Sequence, residues 1–219
     1  MLSVHKELVG IQSDSTHVEG MLEVPAKPTG IVLFAHGSGS SRFSPRNNFV
    51  ASELHNAQIG TLLLDLLTPE EDQNYRRRFD ISLLVQRLNK AAEWLRESAE
   101  TRSLPLALFG ASTGAAAALQ LAASWGAGIA AVVSRGGRPD MAGLHALEKV
   151  SAPTLLIVGG LDDAVIKMNQ AAYDALRCEK QLEIIPGATH LFEEPGTLEQ
   201  VAALAATWFV RHFPTQDKH

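Results

Sequence analysis

The chain has 219 residues, 46% of them hydrophobic and 20% charged, and a formal net charge of −5. That balance excludes general disorder and gives no support to a nucleic-acid-binding surface. A single cysteine, Cys178, excludes an intrachain disulfide and a cysteine-based metal cluster, and no apolar run approaches the length of a bilayer crossing.

The length suits one α/β domain over residues 1–219. The residues that open the chain lack the apolar core of a signal peptide, so a cytoplasmic location is expected. Ser3–Gln12 alternates polar and apolar residues, and His17–Val24 follows a short polar turn. Together they predict an antiparallel hairpin with one wet face. Gly30–Ala35 is uniformly apolar, as a strand covered on both faces should be. The pattern returns at Thr61–Leu64, Leu106–Phe109, Ile129–Val133, Thr154–Val158 and Leu182–Ile185. Helical segments lie between these runs. In Asp80–Glu97, residues Ile81, Leu84, Val85, Leu88, Ala91, Ala92 and Leu95 trace one stripe at helical spacing. Val201, Leu204, Ala205, Trp208 and Phe209 do the same in the last helix. Alternating strands and helices predict a mostly parallel sheet with helices on both faces. Ligands of such sheets bind beyond the carboxyl ends of the strands, so chemistry is sought there.

Gly110-Ala111-Ser112-Thr113-Gly114 follows one buried strand and opens into an alanine-rich helix. A serine between two glycines at a strand-to-helix turn is the pattern of a nucleophile elbow. The helix N-terminus beneath it favours the negative charge of acyl transfer. His36-Gly37-Ser38-Gly39 follows the Gly30–Ala35 strand, and its glycines let backbone N–H groups approach a substrate oxygen. The expected oxyanion hole is the Ser38 and Thr113 amides, with His36 in a structural role. A phosphate-binding loop is disfavoured because the Gly-Lys-Ser/Thr element is missing. Gly159-Gly160-Leu161-Asp162-Asp163 follows the Thr154–Val158 strand. Asp162 is expected to orient a histidine, while Asp163 is the alternative and a helix cap. Pro186-Gly187-Ala188-Thr189-His190 follows the last strand, where His190 can serve as general base and then general acid. His145 is a second candidate.

Two predicted loops carry arginines, Arg42 with Arg46 and Arg135 with Arg138. Arginine presents a planar fork to carboxylate or phosphate. At least one of the four is expected to touch a substrate anion, with Arg135 foremost. The competing role is to brace loops by pairing with Asp65, Glu70 or Asp140. Arg76-Arg77-Arg78 reads as a solvated surface, and Asp65 as structural.

With these residues in place the chain resembles the α/β-hydrolase superfamily, in particular the dienelactone hydrolase-like group, from about Gly30 to Phe213. The resemblance rests on His36-Gly37-Ser38-Gly39, the Ser112 elbow, Gly159-x-x-Asp162-x-x-Val165 and Gly187-x-x-His190. The order Ser112, Asp162, His190 is the order of that superfamily. The resemblance implies an α/β-hydrolase fold without a large cap domain, although residues 66–79 could form a small flap. Dienelactone hydrolases proper use a cysteine nucleophile, whereas Ser112 points to ordinary carboxylic-ester, thioester or lactone chemistry. The expected enzyme is a serine esterase with a catalytic triad, needing no metal or organic cofactor. Its expected partner is a small molecule, anionic if the arginines bind it, rather than nucleic acid or membrane. Acyl transfer on the same site, and a non-catalytic binding protein on this scaffold, are the alternatives. Oligomeric state is not legible in the sequence.

Overall fold

The computed structural model describes residues 4–13 and 16–214. Ser3, residues 14–15 where the sequence predicts a turn, and His219 lie outside them. The strands are β1 (Val4–Ser13), β2 (Thr16–Pro25), β3 (Gly30–Ala35), β4 (Ile59–Leu64), β5 (Leu106–Ala111), β6 (Val132–Arg135), β7 (Thr154–Gly159) and β8 (Lys180–Ile185). The helices are α1 (Pro45–Asn56), α2 (Pro69–Asp72), α3 (Ile81–Glu97), α4 (Thr113–Trp125), α5 (Leu144–Lys149), α6 (Asp163–Ala175) and α7 (Thr197–His212). The strands form one sheet in the order β1-β2-β4-β3-β5-β6-β7-β8. β2 runs antiparallel to both β1 and β4, and every pairing from β4 through β8 is parallel. This is the expected α/β-hydrolase architecture, a mostly parallel sheet with an N-terminal antiparallel hairpin.

Strand residues alternate between two apolar layers, as a period of two requires. Ile31, Leu33, Leu62 and Leu108 pack with Leu84 and Leu88 of α3 and Leu119 of α4. Val32, Phe34, Leu63 and Phe109 face the other way and pack with Val50 and Leu54 of α1 and Val201 and Phe209 of α7. Phe34 and Phe109 stack with ring centroids 4.7 Å apart. All six residues of β3, β4, β5 and β7 are buried, which is why those strands read as continuous apolar runs.

Two differences from the sequence expectation bear on the site. The strand predicted at Ile129–Val133 is instead Val132–Arg135. Gly126–Gly128 forms a 3-10 turn, and the Ile129 N–H bonds back to the Gly126 carbonyl at 3.2 Å, which delays the strand. Arg135 is therefore the buried last residue of a strand rather than part of a loop. The 66–79 segment contains the single turn of α2 and a 3-10 turn at Arg77–Phe79, and Leu66 and Leu67 are buried. Arg77 and Arg78 are tied to Glu71 and Asp72 rather than merely solvated.

His36, one residue beyond β3, is buried. Its Nε2 accepts the Leu66 N–H at 3.0 Å, and its Nδ1 lies 2.8 Å from the Gly37 carbonyl oxygen. An amide can only donate and a carbonyl only accept, so the ring carries its proton on Nδ1. Burial holds the His36 pKa below the ordinary 6.5, against raising contributions from the Gly37 hydrogen bond and from Asp65 and Asp72. Burial also lowers that of His55. Below the ordinary value the unfolded chain binds protons that the folded chain refuses, so stability falls as the solution turns acid. We expect the melting temperature to drop between about pH 7.5 and 5.5, and to drop less in His36→Gln. Equal drops would contradict the assignment.

Gly114 sits where α4 passes the end of β3. A Cβ there would lie 2.2 Å from the Ala35 carbonyl oxygen and 2.5 Å from that of His36. Neither backbone group can yield without moving the strand. Gly114→Ala is expected to cost at least about 2 kcal/mol in urea denaturation, and a cost near zero would show that α4 is not wedged against β3.

Candidate active site

Ser112 occupies the single step between β5 and α4, with φ 50° and ψ −121°. That conformation is strained for a residue with a side chain. It is held from both sides: the Ser112 N–H donates to the Arg135 carbonyl at 3.2 Å, and its carbonyl accepts the Ala115 N–H at 3.1 Å and the Arg138 N–H at 3.0 Å. The turn is thus pinned to the end of β6. Thr113 is the first residue of α4, where a helix leaves its N–H without an intrahelical acceptor.

Two more strand ends bring the acid and the imidazole together. The Gly160 N–H donates to the Ile185 carbonyl at 2.8 Å, and the Leu161 N–H to the Ala188 carbonyl at 2.9 Å. Gly159 permits this approach, since a Cβ there would lie 2.5 Å from both the Ala188 and Thr189 oxygens. The loops after β7 and β8 are therefore laced to each other. Asp162 stands at the N-terminal boundary of α6, but its side chain makes no capping bond. Its Oδ2 lies 2.6 Å from His190 Nδ1 instead. Asp163, the alternative acid, is exposed in the first turn of α6. Asp162 is only 17% exposed and His190 40%, so the carboxylate is sheltered while the ring remains accessible. The histidine loop is fixed at its far side. The Thr189 N–H and hydroxyl donate to Glu194 at 3.0 and 2.7 Å, and the buried Phe192 takes a left-handed φ of 55°. His145, the other candidate, is exposed on α5.

Ser112 and His190 line one cavity of about 230 Å³, together with Gly37, Ser38, Arg46, Asn47 and Arg135. A larger hollow of about 450 Å³ lies between β8 and α7, but none of Ser112, Asp162 or His190 lines it. The size of a hollow is no guide to chemistry without convergent polar groups. Gly37 runs beside the serine: a Cβ on Gly37 would lie 3.0 Å from Ser112 Cβ. Ser38, at the mouth of that loop, lines the cavity as well.

The four arginines divide into two pairs. Arg42 does not line this cavity. Its side chain pairs with Asp65 and, at 2.6 Å, with Glu19, and its N–H donates to Asp65 at 2.6 Å. Arg138 forks onto the two oxygens of Asp140 at 2.9 and 2.7 Å, also outside the cavity. Both take the bracing role weighed in the sequence. Arg46 and Arg135 do line the cavity. Burial, and then the charge of Arg46, lower the Arg135 pKa to about 10. Arg135 Nη2 donates to Asn47 Oδ1 at 3.3 Å. Asn47 is not among the sequence candidates, although Ser44-Pro45 is a helix-start signal that places Arg46 and Asn47 in the first turn of α1. Cys178 lies half-buried between α6 and β8, away from this cavity.

Comparison with known proteins places this geometry in a family. A family model described as an alpha/beta hydrolase domain matches residues 28–207. The crystal structure of a dienelactone hydrolase from Anabaena variabilis is 51% identical and superposes with a TM-score of 0.93, covering 96% of this chain and 99% of that one. Est1E from Butyrivibrio proteoclasticus, 15% identical, shares the fold with a TM-score of 0.80 over 94% of this chain and 98% of its own. Proteins of two Mycobacterium tuberculosis strains, provisionally named phosphoribosyl transferases, are 56% identical over 206 residues, or 94% of this chain. The chain spans 46% of the length of those curated relatives. By the family match, and by its likeness to the Anabaena structure along nearly its whole length, the chain belongs to the α/β-hydrolase family, in its dienelactone hydrolase-like group.

Proposed function

We propose that the protein is a serine hydrolase that cleaves a small carboxylic ester, thioester or lactone through an acyl-enzyme intermediate. The observation that carries this reading is the 2.6 Å contact between Asp162 and His190, with His190 and Ser112 lining the same cavity. Ser112 Oγ attacks the substrate carbonyl carbon as His190 Nε2 takes its proton. The Asp162 carboxylate keeps the other ring proton on Nδ1 and stabilises the imidazolium. The Ser38 and Thr113 N–H groups receive the oxyanion, where one such donor contributes about 3–4 kcal/mol to the transition state. Collapse breaks the bond to the leaving oxygen or sulfur, which takes the proton from His190. Water then attacks the acyl carbon, gives its proton to His190, and the acid departs as Ser112 is restored.

The phosphoribosyl transferase name belongs to proteins that extend well beyond the matched region. That name describes those proteins and is not carried over to this chain, whose residues 28–207 match an alpha/beta hydrolase domain.

Against a panel of short-chain 4-nitrophenyl esters, Ser112→Ala is expected to lower kcat by about 10⁶-fold, and Asp162→Asn by about 10⁴-fold with little change in KM. A Ser112→Ala protein that keeps most of its turnover would reject the mechanism. An Asp162→Asn protein of wild-type rate would remove the acid from it.

A further inference from the structure

The cavity beside Ser112 contains a charge arrangement that ester cleavage alone does not need. Arg135 is 8% exposed, and its Nη1 is buried without a hydrogen-bond partner among the described residues. Among the described residues its side chain donates to a neutral acceptor, Asn47 Oδ1 at 3.3 Å. The charged group that acts on it most is another arginine, Arg46. Arg46 Nε is also buried without a partner, and its Nη1 reaches only the exposed Glu193, at 3.4 Å. Two like charges thus converge on one small cavity, and the inner one lacks a carboxylate. A buried guanidinium in that condition is costly to keep. An anionic ligand would relieve the cost, because it supplies the missing acceptor and the missing charge together.

We propose that Arg135, Arg46 and Asn47 cradle a carboxylate or phosphate group borne by the ester that Ser112 attacks, a proposal that rests on the hydrolase reading above. The cradle is held to the nucleophile by the backbone. The Arg135 carbonyl accepts the Ser112 N–H, so the residue that would grip the anion also fixes the elbow. Asn47 Oδ1 is engaged by Arg135, which leaves its Nδ2 as the amide donor. Both Arg46 and Asn47 belong to the first turn of α1, whose N-terminal dipole favours negative charge on the same side. The cavity, at about 230 Å³, lies below the usual range of small-molecule sites of about 300–1,000 Å³, so the anion and the scissile carbonyl belong to one compact molecule. Arg42 and Arg138, which have no role here, hold carboxylates at 2.9 Å or closer, whereas Arg46 meets the exposed Glu193 only at 3.4 Å.

The test compares kcat/KM for mono-4-nitrophenyl glutarate, which carries a free carboxylate, with that for the neutral 4-nitrophenyl butyrate. The wild type is expected to favour the anionic ester, and Arg135→Met and Arg46→Gln each to lower the anionic-to-neutral ratio at least about tenfold. An unchanged ratio in both variants would overturn the cradle. A second readout does not depend on catalysis. Succinate and inorganic phosphate, added separately, are expected to raise the melting temperature of the wild type and of Ser112→Ala but not of Arg135→Met. The anion that gives the larger rise identifies the class. Without ligand, Arg135→Met is expected to melt no lower than the wild type, since it removes an unpaired buried charge. A rise in neither anion, or the same rise in Arg135→Met, would contradict the proposal even if esters are cleaved. A rise that Arg135→Met abolishes would support the cradle even if Ser112 proves not to be the nucleophile.

Discussion

The site depends on one backbone step, the left-handed turn at Ser112 between β5 and α4. A step of this kind costs about 1–3 kcal/mol and persists only where its surroundings over-determine it. Here they do. The end of β6 holds the Ser112 N–H, Arg138 in the loop beyond it holds the carbonyl, and α4 is wedged against the end of β3 at Gly114. The turn lifts the hydroxyl clear of the sheet and puts the start of a helix under it. Relaxing it would cost hydrogen bonds to β6 and the packing of α4 together, so the strain is stored rather than released.

Around that step, each carboxyl strand end supplies one component. The loop after β3 passes beside the serine, braced from beneath by a neutral His36 whose two nitrogens tie it to Gly37 and Leu66. The loop after β7 carries the acid and the loop after β8 carries the imidazole, and main-chain bonds join these two loops before any side chain meets. The end of β6 carries both the elbow's backbone partner and a buried arginine. A parallel sheet makes this convergence cheap, because its loops all emerge along one edge. The electrostatics are set by the same placement. One carboxylate faces the imidazole, and two arginines face the cavity.

Much of this was legible in the sequence, because apolar runs that end at a reactive residue carry both fold and function. The Ser112, Asp162 and His190 loops each follow such a run, and their order along the chain matches their order in the superfamily. Of the two adjacent aspartates, Asp162 is the one whose Oδ2 lies 2.6 Å from His190 Nδ1. The arginines were harder. The apolar run Ile129–Val133 predicts a loop at Arg135, whereas that residue closes a strand and is buried. Whether an arginine meets a carboxylate or an empty cavity depends on residues distant in sequence, such as Glu19 for Arg42. Asn47 escaped notice for the same reason: its burial comes from α1 folding onto the sheet, and no local pattern marks it.

The hydrolase reading requires the strained serine to be the nucleophile. The most direct measurement is peptide mapping by mass spectrometry after the folded protein has been treated with a fluorophosphonate. One adduct per chain is expected, carried on the peptide containing Ser112 and lost when the protein is unfolded before treatment. A folded protein that takes up no label, or takes it on a different residue while Ser112 stays unmodified, would contradict it.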